Sequence, residues 1–281
     1  MKLAFITGIT GQDGSYLTEL LLEKQYKVYG IVRRTSLLYS HTRLDHIREK
    51  IELRYGDMTD NSGLCNYLFN IISQNSDFEV LEIYNLAAQS HVKISYEIPQ
   101  FTVQINALGL LNLLESIKIN CPGAKIYQAS SSEMFGNSTD PDGKQRETTP
   151  MHPVSPYGCA KLFSYSLVRN YRKAFKLFAS NGILFNHESP RRGSNFVTTK
   201  IIKNAVLIHK GKVKNLELGN LDSQRDWGHA KDYVKAMHLI LNHNDADDFV
   251  IATGKTNSIR DLCKLVFSKL NLNYEDYVKV N

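Results

Sequence analysis

The sequence predicts an α/β fold built on a doubly wound parallel sheet, with a second, smaller portion towards the C-terminal end. Two observations carry this prediction. Short apolar runs alternate with longer amphipathic segments, and this alternation loosens after about residue 186. Alternating strands and helices indicate βαβ units, whose right-handed crossovers place helices on both faces of a parallel sheet. Ligands of such sheets bind at the carboxyl ends of the strands.

Each element is predicted from a local pattern. Apolar runs of strand length predict strands at residues 3–7, 27–32, 51–55, 80–86, 124–130, 178–185 and 248–253. Apolar residues with helical spacing predict helices at residues 14–24, 106–118, 156 to about 175, 230–241 and 259–269. The segments 186–200 and 218–229 are polar and contain glycine, so we predict loops there.

Composition and charge exclude several classes of protein. Of the 281 residues, 42% are hydrophobic and 22% are charged, which is typical of a globular protein. The net charge is +6, but the 34 lysines and arginines are scattered, which argues against a nucleic-acid partner. No apolar stretch has the length of a membrane span or a signal peptide, so we expect a cytoplasmic protein. No metal site is predicted, because metal-ligand spacing is absent from the cysteines Cys65, Cys121, Cys159 and Cys263.

A glycine-rich loop follows the first predicted strand. Residues 7–14 read TGITGQDG and open the first helix, with Gly8, Gly11 and Gly14 three residues apart. Glycines let the backbone turn tightly and approach a pyrophosphate, which then lies at the helix N-terminus. The alternative is an ordinary strand-to-helix turn. Because the loop lies in the first βα turn of a βαβ unit, we predict a dinucleotide-binding Rossmann domain.

The end of the second strand indicates which dinucleotide is bound. An NAD-binding protein of this type has an acidic residue there, which accepts a hydrogen bond from the ribose 2′-hydroxyl. This chain reads GIVRRTS, so Arg33 and Arg34 could bind a 2′-phosphate, to which Thr35 or Ser36 could donate. The alternative is a pair of solvated arginines. We predict NADP as the cofactor.

Two segments supply reactive groups for chemistry at the nicotinamide. QASSSEMFG (128–136) follows the fifth predicted strand, and SPYGCAK (155–161) opens the long helix. Tyr157 and Lys161 share a helix face, and the lysine charge favours the phenolate, which could then accept a proton from an alcohol. The alternatives are an ordinary capped helix and, for Glu133, a solvated loop carboxylate.

Several motifs together resemble a known family. The glycine loop, the Tyr157–Lys161 pair and NLAAQSHV (85–92) resemble the extended short-chain dehydrogenase/reductase family. Within it, GITGQDGSYL, VRRTS, SSSEMFG, SPYGCAK and NHESPRRG resemble the GDP-mannose 4,6-dehydratase family over nearly the whole chain. The resemblance implies conversion of GDP-mannose to GDP-4-keto-6-deoxymannose, the route to GDP-fucose in nucleotide-sugar metabolism.

The resemblance also implies roles for four catalytic residues. Tyr157, tuned by Lys161, would deprotonate the sugar 4-hydroxyl while C4 gives hydride to NADP⁺, and Ser131 would hydrogen-bond the same oxygen. Glu133 would remove the C5 proton and protonate the departing 6-hydroxyl, and hydride would return to C6. A 4-epimerase with the same tyrosine and lysine needs no such second acid/base group. The family usually has threonine where this chain has Ser131; the hydroxyl is kept, so we expect the role to hold.

The binding residues implied by the resemblance fall into two sets. Cofactor contacts are expected at Gly8, Ile9, Thr10, Gly11, Gln12, Asp13, Gly14, Arg33, Arg34, Thr35, Ser36, Asp57, Met58, Leu86, Ala87, Ala88, Gln89, Ser90, Lys161, His187 and Arg192. Substrate contacts are expected at Asn186, Glu188, Val197, Lys200, Leu218, Gly219, Asn220 and Arg225. Arg225 is the candidate for the diphosphate, because a guanidinium can bind two phosphate oxygens at once.

We therefore expect an NADP-binding domain over residues 1–185 and a substrate-binding portion over residues 186–281, with some elements packing back on the sheet. The chain ends at YEDYVKVN, before a segment that completes the substrate lobe in the family, so weaker substrate binding is expected. The resemblance implies a homodimer or homotetramer. The alternatives are a sugar-nucleotide 4-epimerase or reductase on the same scaffold, and a non-catalytic NADP-binding protein.

Overall fold

The computed structural model describes residues 1–34 and 42–280. The chain divides into two compact units. The first unit comprises Met1–Leu184 and Ala230–Ile251, and the second comprises Phe185–His229 and Ala252–Asn281. No helix in the described part of the chain is both long and apolar enough to cross a bilayer.

The strands and helices are numbered in chain order. The strands are β1 (Lys2–Thr7), β2 (Tyr26–Val32), β3 (Ile51–Tyr55), β4 (Val80–Asn85), β5 (Lys125–Ser131), β6 (Phe178–Leu184), β7 (Asn186–Glu188), β8 (Leu216–Leu218), β9 (Gln224–His229), β10 (Asp248–Ile251), β11 (Thr256–Ser258) and β12 (Val278–Val280). The helices are α1 (Gln12–Glu23), α2 (Asn61–Ser73), α3 (Val92–Glu97), α4 (Pro99–Val103), α5 (Gly109–Asn120), α6 (Pro156–Phe175), α7 (Val197–His209), α8 (Ala230–Leu241) and α9 (Ile259–Ser268).

The first unit is built on a seven-stranded sheet in the order β3-β2-β1-β4-β5-β6-β10. Every neighbouring pair is parallel. The first six strands follow the Rossmann order. Strands β2 and β3 are added on one side of β1, and β4, β5 and β6 are added on the other, so the strand order switches between β1 and β4. The predicted doubly wound α/β fold is therefore confirmed. The carboxyl ends of β1 and β4 mark the point at which such folds bind a dinucleotide.

Helices cover both faces of this sheet, because its strands alternate apolar side chains to either side. On one face Phe5 and Ile126 lie in a core with residues of α2, α5 and α6. On the other face Ile6 and Tyr84 lie in a core with residues of α1 and α8. Strands buried on both sides read as continuous apolar runs, which is why the sequence located them well.

The second unit has its own core and much shorter strands. Helices α7 and α9 pack with β8 around Ile201, Leu218 and Phe267. Strand β9 pairs with β7 in parallel and with β11 in antiparallel orientation, and β8 pairs with β12 in parallel.

Two predicted loops are wrong in part. Residues 186–200 contain β7 and the first turn of α7, and residues 218–229 contain the end of β8 and all of β9. Strand β9 is polar because it is held by hydrogen bonds rather than by alternating apolar residues. Its buried Asp226 accepts from the amides of Thr253 and Gly254 at 3.0 and 2.8 Å.

The helix predicted from residue 106 also begins differently. Residues 104–108 form a π turn, and α5 starts at Gly109. A π turn inserts an extra residue into the helix, and such turns are frequent at functional sites. Helix α6 starts at Pro156 and ends at Phe175, as predicted.

Candidate active site

The glycine loop is shaped by two close approaches that only glycine allows. Gly8 has a φ of +69°, and a Cβ there would lie 2.8 Å from the backbone of Leu86 and Ala87 at the end of β4. A Cβ on Gly14 would lie 2.5 Å from the carbonyl oxygen of Gly8. The loop is thus folded tightly against β4, and Gly11 caps the start of α1. The first turn of α1 presents its amides in the manner of helix N-termini that bind phosphate.

These residues fit a dinucleotide. The close main-chain approaches at Gly8 and Gly14 give the loop the tight turn that lets a backbone approach a pyrophosphate. The side-chain oxygen of Gln89, in the segment after β4, is buried without a hydrogen-bond partner in the described part of the chain. A buried acceptor of this kind is costly unless a ligand or water satisfies it.

The arginines of the NADP prediction directly follow β2. Strand β2 ends at Val32, and both Arg33 and Arg34 are exposed. Thr35 and Ser36 lie outside the described residues. A third arginine, Arg43, was not predicted; its Nη1 donates to the carbonyl oxygen of Thr10 in the glycine loop at 3.1 Å. This contact brings a further positive charge to the loop.

The other predicted cofactor contacts in this unit lie at strand ends. After β3, Asp57 accepts from the amide of Thr59 at 2.9 Å, while the Met58 side chain is buried in the core. After β4, the amides of Leu86 and Ala87 donate to Thr7 Oγ1 at 3.2 and 3.1 Å. The segment Leu86–Ser90 thus begins where the pairing of β1 with β4 ends, at the carboxyl end of both strands.

A short turn after β5 carries two of the predicted catalytic residues. Ser131 ends β5 and is 8% exposed, and its Oγ accepts from the amide of Glu133 at 3.2 Å. Because that bond uses an Oγ lone pair, the Ser131 hydroxyl proton remains available for a substrate oxygen. Glu133 is half-buried in a single 3₁₀ turn. A Cβ on Gly158 of α6 would lie 2.8 Å from the Glu133 carbonyl oxygen, so the turn lies directly against that helix.

Tyr157 and Lys161 lie in the first turns of α6. The helix start is fixed by Ser155, whose Oγ accepts from the amide of Gly158 at 3.0 Å, and by Ser95 of α3, whose Oγ accepts from the amide of Tyr157 at 3.3 Å. Tyr157 is 9% exposed and Lys161 is 4% exposed.

The Lys161 ammonium is close to the phenol and deeply buried. Its Nζ lies 5.8 Å from the centre of the Tyr157 ring and donates to the carbonyl oxygen of Ala129 at 2.7 Å. Burial lowers the pKa of Lys161 to about 8, so the lysine is still mostly charged at neutral pH. An ammonium has three N–H donors, so this bond leaves capacity for a ligand.

The π turn before α5 is hydrogen-bonded both to the segment after β4 and to α6. Asn106 exchanges hydrogen bonds with the main chain of Gln89 in both directions, each at 2.9 Å. The Asn106 carbonyl oxygen accepts from Ser164, one turn after Lys161 on α6. The turn therefore joins the predicted cofactor segment to the catalytic helix. Sequence reasoning missed Asn106 because a π turn leaves no mark in helical periodicity.

The remaining predicted binding residues all lie in the second unit. His187 is buried, and its Nδ1 lies 2.8 Å from the carbonyl oxygen of Phe185. Glu188 accepts from Thr198 and pairs with Arg192 at 3.3 Å. Asn186 lies on β7, paired with Trp227.

The substrate residues predicted farther along the second unit are mostly exposed. Lys200 donates to the Glu217 carbonyl oxygen at 2.7 Å, and Arg225 donates to the adjacent Gln224 carbonyl oxygen at 2.7 Å. The others are the exposed Gly219 and Asn220, the partly buried Val197 and the core residue Leu218. The buried side chain of Leu218 leaves only its main chain for a ligand.

Comparison with known proteins places the chain in a family. The family model described as GDP-mannose 4,6 dehydratase matches residues 5–281. The chain belongs to the GDP-mannose 4,6-dehydratase family. The resemblance predicted from the motifs is thereby confirmed. The chain is 50% identical to the GDP-mannose 4,6 dehydratase of Homo sapiens over 278 residues, covering 95% of this chain and 72% of that protein. It is 47% identical to the enzyme of Yersinia enterocolitica over 284 residues, covering 98% and 74%.

Solved structures of lower identity share the fold. A dTDP-glucose 4,6-dehydratase from Streptomyces venezuelae with NAD bound has a TM-score of 0.84 at 23% identity, covering 100% of this chain and 84% of that chain. A UDP-glucose 4-epimerase from Thermotoga maritima has a TM-score of 0.83 at 23% identity, covering 100% and 86%. One scaffold thus supports both reactions, so the fold alone does not choose between them.

Proposed function

We propose that the chain is a GDP-mannose 4,6-dehydratase that uses NADP to make GDP-4-keto-6-deoxymannose. The observation that carries this proposal is the turn after β5. It joins the Ser131 hydroxyl to the amide of Glu133, and it lies against the helix that presents Tyr157 and Lys161. A second acid/base group beside an alcohol-oxidising set is what water elimination needs and what 4-epimerisation does not. Membership of the family supports the same choice.

In the proposed reaction, Tyr157 and Glu133 transfer protons at different carbons of the sugar. Tyr157 accepts the proton of the sugar 4-hydroxyl, helped by the nearby Lys161 charge, and Ser131 donates to the same oxygen. The resulting 4-ketone acidifies the C5 proton. Glu133 accepts that proton and passes it to the 6-hydroxyl, which leaves as water. When hydride adds at C6, C5 takes up a proton that Glu133 draws from solvent. Because Tyr157 and Lys161 are both buried, the attraction between the Lys161 ammonium and the Tyr157 phenolate is stronger than it would be in water.

Bound NADP would supply the hydride acceptor at C4 and the hydride donor at C6. The residues that would hold it are the glycine loop for the pyrophosphate, the segment after β4 and Lys161. We propose NADP rather than NAD because Arg33 and Arg34 stand where an NAD-binding fold has a carboxylate. His187 and Arg192 of the second unit are proposed as further contacts.

The cofactor choice can be tested by substituting Arg33. We expect Arg33→Ala to weaken NADP binding by about 10- to 100-fold, the value of a charge-assisted hydrogen bond, and to leave NAD binding nearly unchanged. Titration calorimetry with both cofactors measures this. The control is Arg48→Ala, because Arg48 lies near the end of the 3₁₀ turn that precedes β3 and is not a predicted cofactor contact. Equal losses for both cofactors would remove the 2′-phosphate role.

The second unit is proposed to bind GDP-mannose through Asn186, Glu188, Val197, Lys200, Leu218, Gly219, Asn220 and Arg225. We also propose a cytoplasmic homodimer or homotetramer, without nucleic-acid or membrane partners. Exposed large apolar side chains on neighbouring helical elements support self-association: Tyr96 on α3, Phe101 on α4, Leu108 in the π turn and Phe163 on α6.

The proposed reaction has a direct test. The purified protein, given GDP-mannose and a catalytic amount of NADP⁺, should accumulate a 4-keto-6-deoxy sugar nucleotide without net NADPH. A C4 epimer as the product would identify the epimerase alternative. NADP binding with no change in the sugar nucleotide would identify a non-catalytic NADP-binding protein.

A further inference from the structure

Buried polar side chains stand in one row across the sheet of the first unit. Thr7, Asn85, Gln128, Asn181 and Asp248 are register partners on β1, β4, β5, β6 and β10. The first four are at most 3% exposed, and the side chain of Asp248 is 7% exposed. We call these five residues the polar row. It runs from the last residues of β1 and β4, through the middle of β5 and β6, to the first residue of β10. Burial of polar groups is costly unless every group is hydrogen-bonded.

One half of the polar row leads to the catalytic lysine. Thr7 Oγ1 donates to Asn85 Oδ1 at 2.6 Å, and Asn85 Nδ2 donates to Gln128 Oε1 at 2.7 Å. Gln128 Nε2 then donates to the carbonyl oxygen of Ala129 at 3.1 Å. That oxygen also accepts from Lys161 Nζ at 2.7 Å. Each amide accepts on its oxygen and donates from its nitrogen, so the chain of bonds runs in one direction.

The Ala129 carbonyl needs such support because β5 loses a neighbour there. Pairing of β5 with β4 ends at Gln128, whereas pairing with β6 continues to Ser131. Beyond Gln128 the strand is therefore held by the sheet on one side only. Side-chain hydrogen bonds take the place of the missing strand at the carbonyl that binds the ammonium.

The other half of the polar row leads elsewhere. Asn181 accepts from Ser130 Oγ at 3.0 Å and donates to Asp248 at 2.8 Å. Asp248 accepts in turn from Tyr165 at 3.1 Å and Arg172 at 2.6 Å, farther along α6. Asn181 is as buried as Gln128 and lies beside it, but none of these bonds reaches Lys161.

We propose that Gln128 is a positioning residue that holds Lys161 in place through the Ala129 carbonyl, with Asn85 and Thr7 as its support. The effect on catalysis rests on the proposed function, in which Lys161 acts on Tyr157. The same bonds connect Lys161 to the end of β1 that leads into the glycine loop. One series of hydrogen bonds therefore links Lys161 to Thr7, the residue that precedes Gly8 of the glycine loop.

A displaced ammonium changes the titration of the phenol. Moving it about 2 Å farther from the Tyr157 ring, at an effective dielectric constant of ~20, raises the pH of phenol ionisation by about half a unit. Other ionisable groups on the elements packed against the start of α6 include Glu133, in the turn after β5, and His91, Lys93, Tyr96 and Glu97, at and within α3. The substitutions below leave all of them in place.

The test compares Gln128→Met with Asn181→Leu, which removes an equally buried amide from the same row. Both variants, with and without saturating NADP⁺, are titrated by the near-ultraviolet absorbance of phenolate, and Tyr157→Phe in each background is subtracted to isolate Tyr157. Gln128→Met should shift the Tyr157 titration upward by about half a pH unit. Asn181→Leu should lower the unfolding midpoint to a similar extent without that shift.

Two results would overturn the proposal: no shift in Gln128→Met, or the same shift in both variants. If Gln128→Met does not fold, two substitutions of Thr7 replace it. Thr7→Val removes the hydroxyl that donates to Asn85, and Thr7→Ser keeps it. The shift should then appear with valine and disappear with serine, and a shift in both or in neither would contradict the proposal. Because the titration needs no sugar nucleotide, its outcome is separate from the outcome of the dehydratase assay.

Discussion

The two units hold their predicted functional residues in opposite ways. In the first unit, the groups proposed for catalysis are largely buried and bonded to distant parts of the chain: Lys161 to Ala129, and the amide of Tyr157 to Ser95. In the second unit, several predicted substrate residues are exposed, and two of them make only local bonds: Arg225 donates to the Gln224 carbonyl oxygen and Asn220 accepts from the amide of Asp222. The large sheet sets the positions in the first unit, whereas short strands and turns set those in the second.

Under the proposed function, this difference separates the residues of the chemical steps from those of substrate binding. A reacting group must be held to a fraction of an ångström, which a packed sheet can provide. A group that binds a flexible sugar nucleotide can adapt, and an exposed side chain allows this at little cost. Substitutions in the first unit should therefore act on the rate of the chemical steps or on the fold. Substitutions at exposed positions of the second unit should act on substrate affinity.

The largest expected effect on stability comes from Gly8→Ala. Gly8 combines a φ of +69° with a Cβ position 2.8 Å from the β4 backbone. The left-handed conformation and the overlap together should cost roughly 3–5 kcal/mol of unfolding free energy. NADP binding should be lost with it. Denaturant unfolding and cofactor titration measure the two effects.

Gly211→Ala in the second unit is the matched control for that variant. Gly211 has a similar φ of +66°, but apart from its chain neighbours no heavy atom of the described residues lies within 4 Å of its Cβ position. It should cost only about 1–2 kcal/mol, the price of the left-handed conformation, and leave NADP binding intact. Equal costs at the two glycines would show that close approach to β4 contributes nothing.

Lys161 should make the stability of the first unit depend on pH. Burial lowers its pKa to about 8, whereas an unfolded chain has a lysine pKa of ~10.4. Between these values the unfolded chain binds more protons, so the free energy of unfolding rises with pH. The cofactor-free protein should gain up to about 3 kcal/mol relative to Lys161→Met between pH 8 and 10.5. Parallel pH curves for the two proteins would contradict this burial effect.

The sequence allowed accurate prediction where a local pattern determined the structure. The apolar runs located the central strands, and Ser155 and Pro156 located the start of α6. The polar row was not predicted, because Asn85 and Gln128 meet only through strand register, which no single segment encodes. Strand β9 was mistaken for a loop because hydrogen bonds to Asp226 replace an apolar pattern. Gly158 was passed over because its neighbour, the Glu133 carbonyl, lies in a distant segment.

The smallest of these effects is expected in the second unit. Arg225→Ala should raise the KM for GDP-mannose about tenfold, or about 1.4 kcal/mol, and leave kcat nearly unchanged, since an exposed guanidinium binds the diphosphate without touching the reacting carbons. Arg260→Ala is the control, because Arg260 pairs with Asp222 at 2.9 Å and is not a predicted contact. A fall in kcat at unchanged KM would place Arg225 in the chemistry and break the division between the units.

The central claim is that Glu133 adds dehydration to an oxidising Ser131–Tyr157–Lys161 set. A single turnover of Glu133→Gln with NADP⁺ and GDP-mannose in deuterated water tests it most directly, with Glu79→Gln, at the amino edge of the sheet, as the control. Glutamine keeps the size of the side chain but cannot accept a proton as a base. The variant should build up NADPH absorbance and stall, its C5 proton should not exchange, and product should form about 10²–10⁴-fold more slowly. Formation of the 4-keto-6-deoxy product at a near wild-type rate would contradict the account.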